Sequence, residues 1–427
     1  MSMNYKQSYI TWVGVIPKEW EILPTKYVFH NKKNVAGVNE DKYERLALTM
    51  KGVLKREKDD NEGLQPESFA SYQIVEKNQI IFKLIDLENI KTSRVGLSPY
   101  KGLVSPAYIV LGNEKKDNRF YEYYYLTMWF YDVFNYLGNS GVRSSLSATE
   151  LLNLPIIRPL YGEKKAIADF LDCECEKIHS IITDIESQIE ILKAYRKAVI
   201  TEAVTKGLNK SVEQRDSGIS WIGGIPKHWD IKRLKFLGRA RNGLTYAPED
   251  INENGILVLR SSNIQNDKLA FDDNVFVDMK IPHEIILREN DLLICSRNGS
   301  RELIGKCALI DKQIAGQTYG AFMCVFRSEF NRFIHYALLS EVFSYYLGTY
   351  LTTTINQLTN TNLGNIKIPI PMNVDEQQAI ADYLDEKCAK IEDIIKDKQE
   401  ALETIKEYKK SLIYEYVTGK KRVKEAK

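Results

Sequence analysis

The chain has 427 residues, with 59 Lys+Arg against 57 Asp+Glu and a formal net charge of +2; this excludes a uniformly basic nucleic-acid coat but leaves room for confined basic faces. That length accommodates two or three domains, and 44% hydrophobic residues without a low-complexity tract argue against extended disorder. No apolar run reaches the roughly 18–20 residues of a membrane span, MSMNYKQSYITWVG lacks the charged head and apolar core of a secretion signal, and six cysteines fit reduced thiols, so a cytoplasmic protein is expected.

In chain order, the first feature is Trp12-x-Gly14-x-Ile16-Pro17-Lys18-x-Trp20. Short apolar runs follow at Gln79–Phe82 and Ala107–Leu111 and read as strands. The aromatic stretch Phe120–Tyr136 lacks strict alternation and reads as a buried helix rather than a base-stacking surface. After Leu154-Pro155-Ile156, residues 163–204 contain no Gly or Pro, and apolar positions step by four and three. Leu171, Cys175, Ile178, Ile182, Ile185, Ile189, Leu192, Arg196, Val199 and Ala203 form that seam, the a/d pattern of a coiled coil. Val204-Thr-Lys-Gly207 supplies the stop, with glycine just past the last periodic residue.

The order then repeats. Trp221-x-Gly223-x-Ile225-Pro226-Lys227-x-Trp229 restates the opening, followed by a basic cluster at Lys232, Arg233, Lys235, Arg239 and Arg241. Strand-like runs stand at Gly255–Leu259, Asp291–Cys295 and Phe322–Phe326. Asn331-Arg332-Phe333 leading to Tyr346-Leu-Gly348 repeats Asn118-Arg119-Phe120 leading to Tyr136-Leu-Gly138. Ala379–Asp385 matches Ala166–Asp172 at six of seven positions. A second seam runs Leu384, Cys388, Ile391, Ile395, Lys398, Leu402, Ile405, Lys409, Leu412 and Tyr416, stopping at Val417-Thr-Gly419 before the basic end Lys420-Lys-Arg-Val-Lys424. Arg196 and Lys409 take equivalent seam positions, either as a polar layer that fixes pairing or as side chains reaching outward near a helix end.

Matches in order at a nearly constant offset make the chain a tandem duplication. The expected fold is α+β: two pseudo-symmetric globular domains of mixed, β-rich structure joined by two long antiparallel coiled-coil helices. The expected divisions are 1–157 for the first domain, 158–210 for the first long helix, 211–371 for the second domain, and 372–427 for the second helix with its basic tail. One globular domain at each end of a helical bar is the simplest arrangement of such a chain.

These residues resemble the specificity subunits of type I DNA restriction–modification enzymes. The resemblance rests on the doubled Trp-x-Gly-x-Ile-Pro-x-x-Trp opening and on Glu376-Gln-x-x-Ile-Ala-x-Tyr-Leu-Asp385, and it extends over essentially the whole chain. The segments Glu289–Ser300, Ile304-Gly-Lys306 and Gly102–Tyr108 also resemble parts of such target-recognition domains. Glu163-Lys164 departs from the family's Glu-Gln. The resemblance implies two target-recognition domains reading the halves of a bipartite, asymmetric double-stranded DNA target. It further implies helices that set the unread spacer and dock two methyltransferase subunits, with restriction–translocase subunits completing the complex. The chain itself would be non-catalytic and without cofactor or membrane, its partners using S-adenosylmethionine, ATP and Mg.

The residues read by themselves agree with that division of labour. There is no Asn-Pro-Pro-Tyr or Asp-Pro-Pro-Tyr tetrad, no Gly-x-x-x-x-Gly-Lys-Ser/Thr loop and no Gly-x-Gly-x-x-Gly fingerprint. Five scattered histidines give no His-Glu-x-x-His spacing. Cys175 and His179 stand one turn apart, but Cys175 belongs to the seam and its repeat mate Cys388 is followed by Glu392, so no metal is expected. A non-enzymatic coiled-coil scaffold with two protein-binding end domains is the competing reading.

Base reading needs directional donors and acceptors, and phosphate anchoring needs cations. The first domain offers Lys83 with Asp86, Arg94 of Thr92-Ser-Arg94, the turn from Ser105 to Tyr108, and Arg143-Ser144-Ser145. The second offers Arg260, Ser261 and Asn263, then Arg297, Asn298 and Arg301 closing toward Lys306, and Thr359, Asn360 and Asn362. Arg143–Ser145 and Thr359–Asn362 occupy corresponding places in the repeat. Each of these stretches is also ordinary turn chemistry.

Overall fold

The computed structural model describes residues 4–58, 67–87, 92–113, 117–138, 144–351 and 356–423. The chain forms two compact units, Met1–Ile185 with Glu400–Lys427, and Glu186–Gln399. The division falls inside both long helices, Tyr161–Lys206 and Val374–Val417, so each unit contains half of each helix.

In the first unit, Val15–Pro17 pairs antiparallel with Tyr5–Gln7, and Glu21–Pro24 pairs antiparallel with Pro155–Arg158. A four-stranded sheet runs in the order Gly52–Arg56, Arg45–Thr49, Gly102–Val104, Gln73–Val75. A three-stranded sheet runs Ile109–Leu111, Ile80–Phe82, Val95–Leu97. The second unit repeats the frame: Gly224–Pro226 pairs with Gln214–Asp216, and Asp230–Arg233 pairs with Lys367–Ile370. Between these, its sheets differ. One has the order Arg239–Asn242, Met323–Arg327, Leu292–Cys295, Cys307–Leu309, and the other places Ile251–Leu259 between Phe276–Val277 and Thr318–Tyr319.

The duplicated motifs lie where each domain meets its helices. Trp20 and Trp229 are fully buried, and their indole N–H groups donate to Glu163 at 2.8 Å and Glu376 at 2.9 Å, in the first turns of the two helices. Arg119 pairs with Asp172 at 2.5 Å and Asp169 at 2.7 Å, while the Tyr123 hydroxyl donates to Asp172 at 2.8 Å. In the second copy Arg332 pairs with Asp385 and, at 2.9 Å, with Asp382, and Tyr336 donates to Asp385 at 2.5 Å. The Asn-Arg-Phe and Ala-Ile-Ala-Asp-x-Leu-Asp repeats are therefore two faces of one clamp.

The helix ends close the frame. Gly207 and Gly419 both have φ +72, the left-handed conformation that terminates a helix at glycine. A side chain at Gly419 would meet Pro17 and Trp20, and one at Gly207 would meet Trp229. Lys206 donates to the Gly224 carbonyl and Lys420 to that of Val15. The Gly-x-Ile-Pro-x-x-Trp motif is thus a socket: in the first unit it holds the end of the second long helix, and in the second unit the end of the first.

Every seam residue is buried or half-buried in both helices, as a 3.5-residue repeat facing a partner requires. Within the first unit Phe170 packs on Tyr416 with ring centroids 4.4 Å apart, and Ile182 and Ile405 join the same core. Within the second, Arg196 meets Glu392 and Gln188 meets Lys398. Numbers rise along one helix as they fall along the other, so the pairing is antiparallel in each unit. Arg196 forms a polar layer, its guanidinium reaching Asp267 at 2.8 Å and Glu392 at 3.2 Å. Asp267 sits at φ +62 in the turn between Ile264–Gln265 and Lys268–Leu269, so this layer also ties the helices to that turn of the second globular domain. Lys409 instead lies beside the Cys175 thiol.

The aromatic stretch is helical but broken: Arg119–Phe130 and Val133–Leu137 are separated at Asp132, which has φ +55. Phe120, Tyr121, Tyr124, Tyr125 and Met128 are core residues, with Tyr125 edge-on to Phe82 at 4.9 Å. Tyr136 is exposed beyond the break.

Candidate nucleic-acid interface

In the first domain the strand Ile80–Phe82 runs out into a loop whose Ile85 bridges to Ser145, and the Leu146 N–H donates to the Leu84 carbonyl at 2.9 Å. The second domain uses the same joint. Leu292–Cys295 runs out to Arg297, which bridges to Gln357, and the Leu358 N–H donates to the Ser296 carbonyl at 2.8 Å. In each copy a strand-exit loop is therefore held against the segment that leads back toward the long helix.

Around the first joint, Lys83, Asp86, Ser144 and Ser145 gather. Lys83 donates to Thr92 at 3.1 Å, and burial followed by the nearby Arg94 charge pulls its pKa down. Arg94 is only 1% exposed, and its guanidinium donates to the carbonyls of Lys83, Ile85 and Asp86 at 3.3, 3.1 and 2.5 Å. Carbonyl groups inside a loop need donors when removed from water, so Arg94 braces the loop from within. The turn from Ser105 to Tyr108 is tied down by Gln73, whose amide donates to both carbonyls at 3.1 and 2.8 Å. Tyr108 and Ser145 line one cavity of about 470 Å³ together with Asn31 and Lys33. Arg143 lies outside the described residues.

Around the second joint, the Asn298 amide donates to Ser261 at 3.0 Å, and Arg297 stands 5.4 Å above the Phe322 ring. Arg260 pairs with Asp273 at 2.7 Å. Asn263 is likewise inside its loop. It is fully buried, accepting from the Arg260 N–H at 2.9 Å and donating to the Ala270 carbonyl at 2.9 Å, so it closes the loop that presents Arg260 and Ser261. Arg301 donates to the Leu351 carbonyl at 2.8 Å, and Lys306 is half-buried just beyond it. Thr359 caps the short helix Asn360–Asn365 by accepting from the Asn362 N–H at 3.1 Å, and Asn360 accepts from the Cys324 thiol at 3.3 Å. That segment is set by capping, whereas Arg260, Ser261, Arg297 and Asn298 form one polar group.

Two basic stretches separate in the same way. Arg233, Lys235, Arg239 and Arg241 are exposed. At the C-terminal end, Lys421 pairs with Glu415 at 2.7 Å and Arg422 with Glu19 at 3.0 Å, so these cations are held by carboxylates; Lys424 lies outside the described residues. Asn31, Lys33, Tyr246 and Phe322 line cavities at the two joints and are absent from the residues singled out by sequence. No local motif in the sequence marks them, because their cavities are lined by segments far apart in the chain. Among the described residues no group of three or more His, Cys, Asp or Glu could hold a metal ion, and no helix is long and apolar enough to cross a membrane.

The family model of the type I restriction modification DNA specificity domain matches twice, over residues 17–200 and 226–404. The MjaVIII type I restriction enzyme specificity subunit of Methanocaldococcus jannaschii is 30% identical over 283 residues, spanning 64% of this chain and 63% of that protein, which is under two thirds of its length. A putative MjaX specificity subunit from the same organism is 25% identical over 460 residues, covering 99% of this chain and 97% of the relative. A solved chain from work on "complex assembly and conformational transition of the type I R-M system" has a TM-score of 0.69 at 13% identity, covering 94% of this chain and 98% of its own, and supports the fold. The chain belongs to the type I restriction modification DNA specificity family, whose domain it contains twice.

Proposed function

We propose that this chain is the DNA-reading subunit of a type I restriction–modification complex. Each recognition domain reads one half of a bipartite, asymmetric target, and the helix pair sets the unread spacer. The observation that carries the reading is the contrast within the duplication. The clamp recurs residue for residue, and the socket and seam recur at the same places in each copy, while the loops at the two joints differ in sequence and hydrogen bonding. Two constant frames holding two different polar surfaces suit one protein that recognises two different half-sites.

The helices also offer a place for two copies of one partner. Ile181 and Tyr195 of the first helix are 47% exposed, and their repeat equivalents Ile394 and Tyr408 are 46% and 56% exposed. All four take the same flanking heptad position, next to the seam. Opposite flanking positions hold Asp172 and Asp385, which face the clamps. A repeated apolar stripe beside the seam suits helical segments of two methyltransferase subunits. In this reading the chain does no chemistry: its partners carry out adenine methylation, translocation and cleavage with S-adenosylmethionine, ATP and Mg, in the cytoplasm. The competing scaffold reading gives no reason for two DNA specificity domains in one chain.

The test is co-expression with an adenine methyltransferase subunit. The purified complex should protect one bipartite sequence from nuclease in a footprint, and neither component alone should do so. A footprint given by the methyltransferase without this chain would refute the proposal.

A further inference from the structure

Each domain has a cavity near its joint, and the two cavities share one wall in the repeat, the residues just before the strands Ile109–Leu111 and Met323–Arg327. In the first domain the walls come from Asn31 and Lys33 on one side and Pro106-Ala107-Tyr108 on the other; in the second they come from Thr245 and Tyr246 and from Gly320-Ala321-Phe322. Tyr108 and Phe322 stand directly before the strands Ile109–Leu111 and Met323–Arg327. The volumes are similar, about 470 and 510 Å³. Their remaining walls differ: Ser145 and Ile85 complete the first, whereas Arg260, Ser261 and Ser262 complete the second.

The second cavity is chemically unfinished. The Arg260 Nε and the Ser262 Oγ are buried and have no hydrogen-bond partner among the described residues. Asp273 holds one terminal nitrogen of the Arg260 guanidinium at 2.7 Å, which fixes its orientation. Phe322, 59% exposed, lines the same cavity with Arg297 above its ring. A buried N–H without an acceptor is costly, and a ligand that brings an acceptor relieves that cost. A fixed guanidinium beside an exposed aromatic ring is suited to the acceptor-rich edge of a purine, and guanine O6 and N7 are the acceptors that arginine matches.

We propose that these twin cavities are the base-reading sites of the two domains, and that in the second domain Arg260, with Ser262 and Phe322, reads a guanine of its half-site. The assignment rests on the DNA-reading function proposed above. It explains why the cavities share one wall and a similar size but differ in the rest of their lining: the shared wall presents a base edge, and the remaining lining decides which base is accepted. Asn31, Lys33, Tyr108 and Ser145 then form the corresponding set for the first half-site.

The experiment uses the full chain in complex with its methyltransferase subunits. Methylation rates are measured on duplexes carrying the mapped target and on duplexes substituted singly at each recognised position. Arg260→Ala should lower discrimination at one guanine of one half-site about ten- to a hundred-fold, leaving the other half-site and the spacer unchanged. Phe322→Ala, a change at an exposed side chain, should weaken selectivity in that same half-site and keep the other. Variants that retain wild-type discrimination at every position, or that lose both half-sites equally, overturn the assignment. A wild-type complex that methylates no bipartite sequence would refute the proposed function itself, whereas altered variants beside a selective wild type concern this inference alone.

Discussion

Trp229 shows how one residue ties the sequence motif to the fold. It is fully buried, packs edge-on to Phe333 with centroids 6.1 Å apart, and donates to Glu376 at the start of a long helix. Trp229→Ala should cost about 3–5 kcal/mol, read as a lower unfolding midpoint; a loss below about 1 kcal/mol would contradict its role as the core of the socket. Glu122 makes a different demand. Burial pushes its carboxyl pKa up to about 7, against the opposing pull of the Leu97 N–H it accepts, with Asp172 adding to the rise. A carboxyl raised in the folded state gives stability that is complete below its ordinary value of 4.5 and lost as pH climbs through about 7. Glu122→Gln should flatten that dependence and stabilise the protein at about pH 8, measured by denaturant unfolding at several pH values. Arg94 and Asn263 are buried where residue type alone reads as exposed. Residue type suggested exposed contacts, but burial is set by strands distant in sequence, and both side chains serve the loops' own backbone.

Among the elements, the two long helices were the most legible. Their 3.5-residue period and glycine stops are local properties, and the structure extends the expected 163–204 span only to Tyr161–Lys206. The purpose of the short repeats was not legible, because a motif cannot name its partner. Only the fold brings Arg119 to Asp172 and Arg332 to Asp385. These clamps are half-exposed, so a double-mutant cycle on Arg332 and Asp385 should give a coupling of about 1 kcal/mol or less. Arg196 is more enclosed and faces two carboxylates, Asp267 and Glu392. Arg196→Ala should therefore cost more, about 3 kcal/mol, because it removes the cation that Asp267 faces, while Glu392 keeps Lys268. Equal losses at the two places would contradict this ranking.

At the scale of the whole molecule, the duplication is the dominant feature. What recurs is the frame, and what differs is the pair of loop sets, so the sequence disclosed the architecture and the family but not the cavities. Those are lined by segments far apart in the chain, such as Thr245, Arg260 and Phe322, and no spacing rule connects them. The ruler role has its own test. Inserting seven residues into each helix at matching places preserves the seam and adds about 10 Å of helix, so the spacer should lengthen by about three base pairs with both half-sites unchanged. The central claim is sequence reading in two halves, and it is tested most directly by mapping methylated adenines in DNA from cells that express the chain with its methyltransferase. The account predicts one asymmetric, bipartite motif with an unread spacer, present only when this chain is expressed. A continuous motif, or the same methylation without the chain, would contradict it.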